Sequence, residues 1–110
     1  MNIKQQETKG VIVFTLDGRA DSVGAGELTA ALQGTAAEGK HKIVLDMANV
    51  HYINSAGLRT LADILTQTRN NGGDMRLVAL NPKVERVFKI IGFDKFFDIY
   101  HTVEEALSGF

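Results

Sequence analysis

Apolar and polar positions in this chain alternate between two periods. Residues 3–8 are polar enough only for a short first strand, with Lys9 and Gly10 as its turn. Residues 11–16 are β-branched and apolar, the clearest strand in the sequence, and Asp17-Gly18 after them signals a turn. The two runs predict an antiparallel hairpin. Asp21 and Ser22 are helix-capping types, and Leu28, Leu32 and Ala36 follow at helical spacing as far as Gly39. Gly24, Gly26 and Gly34 lower the intrinsic propensity of this helix, so it must rely on packing.

Residues 42–47 form the next strand, and Ile43, Val44 and Leu45 are apolar on both faces, as in the interior of a covered sheet. Asp46 and a connecting segment lead to Ser55. A helix follows to about Asn70, its face marked by Leu58, Leu61, Ala62 and Leu65, and Asn71-Gly72-Gly73 ends it. Residues 75–80 are a strand. Asn81-Pro82 opens a helix lined by Val84, Val87, Phe88 and Ile91 and closed by Gly92. Residues 96–100 make a short edge strand, and Thr102 to Glu105 reads as a capping box before a last helix with Val103, Ala106 and Leu107 facing inward. The order ββαβαβαβα predicts one α/β domain over residues 1–110, with about five strands in an open, mixed, mostly parallel sheet and four helices.

Charge narrows the function. A formal net charge of -1, with acidic and basic residues interspersed, argues against binding to a nucleic-acid backbone. The absence of cysteine removes disulfides, thiolate–zinc sites and thiol catalysis. Residues 1–6 lack a basic-then-apolar pattern and no run is long enough to span a bilayer, so the expectation is a cytoplasmic protein without direct membrane contact. His41, His51 and His101 stand singly, without ligand spacing. Asp17, Asp21 and Asp46 lie near the strand ends where loops enter helices, but turn and cap roles account for them better than a magnesium site. Residues 21–26 lack the Lys-Ser/Thr ending of a phosphate loop. Ser55 has Ile53 where a nucleophile elbow needs glycine. Neither a cofactor nor an enzymatic activity is expected.

The most informative run is Tyr52-Ile53-Asn54-Ser55-Ala56-Gly57-Leu58, where a loop becomes a helix and small neighbours leave the Ser55 hydroxyl accessible. Two readings follow from the residues. Ser55 caps the helix, contributing about 1 kcal/mol, or it is a hydroxyl open to a kinase, its phosphate favoured by the helix end.

The run from Ile53 to Arg59, in its setting, resembles the STAS domain family, and specifically the bacterial anti-sigma factor antagonists. The resemblance covers nearly the whole chain. Residues 11–16 with Asp17-Gly18-Arg19-Ala20-Asp21 are similar to the family's Leu-x-Gly-x-Leu-Asp turn. Ile43-Val44-Leu45-Asp46, with Val50 and Ile53, resembles the approach to its phosphoserine loop. Residues 72–78, Asn81-Pro82-Lys83-Val84 and Ile91-Gly92-Phe93 complete the match.

The resemblance implies a non-catalytic protein that binds an anti-sigma factor which is also an ATP-dependent serine kinase. Ser55 matches the phosphorylated serine, Asp21 matches the aspartate of the neighbouring loop, and a metal-dependent serine phosphatase restores the binding form. The implied partner surface comprises Asp21, Asn54, Ser55, Ala56, Gly57, Leu58 and Arg59, on a monomer or weak dimer. Two departures stand out: Asn54 replaces the usual aspartate, and Ala56 replaces the usual second serine. Two other readings are a STAS scaffold controlling a phosphatase, cyclase or transporter, and a small-ligand sensor on the Asp21–Ser55 side of the sheet.

Overall fold

Lys9 and Gly10 both take positive φ (54° and 78°). They form the two-residue turn that the twist of a hairpin favours. The computed structural model describes residues 1–110. The hairpin joins β1 (Asn2–Thr8) to β2 (Val11–Ala20) in an antiparallel register that runs from Thr8↔Val11 to Asn2↔Asp17. Then follow α1 (Ser22–Ala37), β3 (Lys42–Ile53), α2 (Ser55–Asn70), β4 (Asp74–Val78), α3 (Pro82–Ile91), a 3-10 turn (Phe93–Lys95), β5 (Asp98–Tyr100) and α4 (Val103–Leu107). The five strands lie side by side in chain order, and every pair after the first is parallel. This is the expected open, mixed α/β sheet.

Side-chain alternation divides the core between two faces. Ile12, Phe14 and Leu16 of β2, Ile43, Leu45 and Met47 of β3, and Met75 and Leu77 of β4 join Leu28, Leu32, Leu61, Leu65 and Phe88 of the helices in one large cluster. Val11, Val13, Val44 and Val78 point the other way and meet Ala106 of α4. Residues 43–45 are buried throughout because both faces of β3 are covered.

Several boundaries differ from those the sequence predicts. Asp17-Gly18 does not end β2. Gly18 takes a φ of 130°, and the pairing with β3 shifts between Thr15 and Asp17 and again between Gly18 and Arg19. The turn-like dipeptide is a bulge inside a longer strand. β3 correspondingly runs past Met47 to Ile53, and the Asp46 carboxylate accepts from the Ala48 N–H (3.1 Å) at the irregularity. Asp46 is therefore mid-strand. On α1, Thr35 rather than Ala36 is fully buried, its hydroxyl donating to the Leu32 carbonyl (3.0 Å). β4 stops at Val78, before Ala79 with its positive φ of 58°. Ile91 is 45% exposed, and the chain turns at Gly92 to send Phe93 and Phe97 under Phe88 instead. Phe96 and Phe97 thus precede the three-residue β5.

Phe88 is fully buried and touches the rings of Phe93 and Phe97 at centroid distances of 6.0 and 5.6 Å. Phe88→Ala should lower unfolding stability by about 3–5 kcal/mol, read from the urea midpoint at unchanged slope.

Candidate functional site

The ends of β2 and β3 carry two helix starts built alike. Asp21 caps α1 by accepting from the Gly24 N–H (3.0 Å), and Asn54 caps α2 by accepting from Ala56 and Gly57 N–H (3.1 and 3.2 Å). In both, the third helical residue is glycine, and a Cβ there would overlap backbone. At Gly24 it would strike the Arg19 carbonyl, and at Gly57 the Ala20 carbonyl. The two helices are thereby seated on consecutive peptide groups of one strand. The Asn54 N–H also donates to the Ala20 carbonyl (3.2 Å).

Ser55 is the first helical residue of α2 and is exposed. It is not the cap. Asn54, a capping type at least as good as serine, takes that position, so the Ser55 hydroxyl is released from the duty that one sequence reading gave it. Ser55, Ala56 and Arg59 form one wall of a groove of about 570 Å³ between α1 and α2. Ser22, Ala25, Gly26, Thr29, Ala30, Gln33 and Thr60 complete it. None of these seven was expected at the site from the sequence. For those on α1 the signal was a run of small, uncharged residues at helical spacing, visible only once the buried face was fixed.

The other expected residues have structural positions around this groove. Gly57 is buried where α2 meets the end of β2, and Leu58 packs against the large core cluster. Asp21 sits at the start of α1, with Arg19 Nε 3.5 Å from its free carboxylate oxygen. The Arg19 guanidinium lies 4.0 Å from the centre of the Tyr52 ring, its neighbour across the strands. Val23 (71% exposed) and Tyr52 (39%) are large apolar side chains left uncovered near these helix starts. Asp17, Asp21 and Asp46 do not converge, and no group of three His, Cys, Asp or Glu side chains could hold a metal ion. His51 faces the Asn81 side-chain amide across 3.0 Å.

The Gly24 N–H, and secondarily Arg19, holds the Asp21 carboxyl below its ordinary value of 3.8. A lowered folded-state pKa means that the cap's contribution is complete above the ordinary carboxylate range. It drains away as pH falls through the lowered value. In a carbon-detected NMR titration, Asp21 should therefore titrate below 3.8. Arg19→Ala should raise that midpoint while leaving it below the ordinary value, since the Gly24 hydrogen bond remains. A second prediction separates cap from hydroxyl. Asn54→Ala should cost about 1 kcal/mol of stability, and Ser55→Ala less than about 0.5 kcal/mol, in the same denaturation assay.

Comparison with known proteins places this geometry in a family. The profile of the STAS domain matches residues 2–106. BtrV of Bordetella bronchiseptica, a candidate anti-sigma factor antagonist, is 33% identical over 110 residues, covering 100% of this chain and 95% of the relative. The anti-sigma-F factor antagonist RsfB of Mycobacterium tuberculosis is 28% identical over 100 residues, covering 91% of this chain and 81% of that one. The crystal structure of an anti-sigma factor antagonist from Mycobacterium paratuberculosis superposes with a TM-score of 0.86 at 29% identity, covering 97% of this chain and 91% of that chain. With the family profile matched from residue 2 to residue 106, the chain belongs to the STAS domain family.

Proposed function

We propose that this protein is a non-enzymatic anti-sigma factor antagonist. It binds an anti-sigma factor that doubles as a serine kinase, and it is inactivated by phosphorylation on Ser55. The observation that carries the reading is the division of labour at the start of α2. Asn54 supplies the cap, and Ser55 stands exposed beside it on the wall of a groove. The similarity to RsfB along 91% of the chain supports the partner class.

The switch works through charge. A phosphate adds about -1.5 to -2 charges at neutral pH. A partner packed over the unmodified hydroxyl then meets a desolvated dianion, with the Asp21 carboxylate as a further negative group at the neighbouring helix start. A penalty of about 2.7–4 kcal/mol weakens binding roughly a hundredfold to a thousandfold. No rearrangement of the fold is required. Removal of the phosphate by a metal-dependent serine phosphatase returns the protein to its binding form.

The test pairs phosphopeptide mapping with binding. Incubation with the partner kinase and ATP should place phosphate on Ser55. Ser55→Ala should keep the affinity of the unmodified protein, whereas Ser55→Asp should bind roughly a hundredfold more weakly by calorimetry. Equal affinities for the two variants would sink the switch.

A further inference from the structure

We infer that Arg59 is the cis receptor for a phosphate on Ser55, so that modification also withdraws from the partner the one cation lining the α1–α2 groove. The inference rests on Ser55 being the switch residue and concerns what happens to its phosphate.

Almost every backbone donor at the start of α2 is already engaged. The amides of Ala56 and Gly57 both donate to the Asn54 side chain, and the Leu58 N–H donates to the Asn54 carbonyl (2.9 Å). The first turn therefore has only Ser55's own N–H left to offer. A bare helix end would receive the anion through several amides, but here the cap has taken them. The phosphate needs another donor. Arg59 lies four residues on, and positions i and i+4 of a helix are neighbours about 5–6 Å apart at Cβ. The order is the favourable one, with the anion N-terminal to the cation. Ser55 and Arg59 line the same groove, and both are exposed.

Arg59 is also available. It makes no ion pair, not even with Asp63 one turn further along. Arg19, the other arginine near the helix starts, is held against Tyr52 and Asp21. An unpaired guanidinium on the partner-facing groove suits a carboxylate on the partner. Its fork suits a phosphate equally well. The two acceptors compete, and an intramolecular phosphate has the advantage of effective concentration.

The experiment uses full-length protein carrying phosphoserine at position 55 by site-specific incorporation, which involves no kinase. Phosphorus NMR titration should place the second ionisation, ordinarily near about 6, roughly half a unit lower in the otherwise native protein than in Arg59→Gln. The Arg59 Nε–H resonance should move on phosphorylation. Equal midpoints together with an unmoved resonance would overturn the capture. Binding to the anti-sigma factor completes a cycle. Arg59→Gln should weaken the unmodified protein roughly tenfold, and phosphorylation should then cost the variant a smaller fold-change than it costs the native protein. Equal fold-changes would overturn the withdrawal of Arg59. If the kinase leaves Ser55 unmodified while the midpoints still separate, the switch reading fails and the capture stands.

Discussion

The close approach of two helix starts to the end of β2 is the constraint on which the candidate site depends. Gly24 and Gly57 sit where any Cβ would overlap the Arg19 and Ala20 carbonyls. Each glycine N–H is held by the cap three residues earlier. Asp21 and Asn54 therefore aim their helices while the missing Cβ sets how near those helices lie. β2 reaches this point only because the Gly18 bulge lets it continue beyond Asp17. The groove between α1 and α2, with Ser55 at its rim, is a product of that seating.

Strand order explains why the site is a surface and not a cleft. In an open α/β sheet a ligand crevice forms where the strand order reverses. Here the strands follow one another from β1 to β5 with no reversal. The large core cluster takes residues from α1, α2 and α3 together, which leaves α4 to cover part of the other face. Arg76 fixes that last helix. It donates to the Ala106 and Ser108 carbonyls (2.8 and 2.9 Å) and stacks 4.1 Å from the Phe110 ring. Its Nε, 3.9 Å from Asp74, makes an ion pair too long to be a hydrogen bond. The ends of β2 and β3 thus open onto a broad face.

Most of the fold was legible because period and punctuation agreed. The hairpin at Lys9-Gly10, the buried run Ile43-Val44-Leu45, and the caps at Asn81 and Thr102 all stand where local chemistry puts them. The misreadings share a cause. Asp17-Gly18 has turn composition, but pairing with both neighbouring strands carries the backbone straight through it as a bulge. Ile91 falls on the apolar stripe of α3, yet Gly92 ends the helix in a left-handed conformation, and Phe93 and Phe97 fill the space against Phe88. In both places a tertiary contact overrides a local preference. Ser55 was legible as a residue of interest. Which of Asn54 and Ser55 would cap was not, because both are capping types and only backbone geometry decides between them.

That decision matters for any switch built on this serine. A phosphoacceptor that also capped α2 would exchange the hydroxyl's hydrogen bonds for the phosphate's on modification, tying the geometry of the helix start to the modification state. With Asn54 as cap, the hydrogen bonds to Ala56 and Gly57 do not involve the Ser55 hydroxyl. A neutral cap has a second consequence. Aspartate would serve the same amides equally well, but it would hold a negative charge against the neighbouring phosphate. With Asn54 as the cap, a phosphate on Ser55 would meet no negative charge from the cap of its own helix. On the proposed reading, modification would change the charge of this surface without changing the fold that presents it.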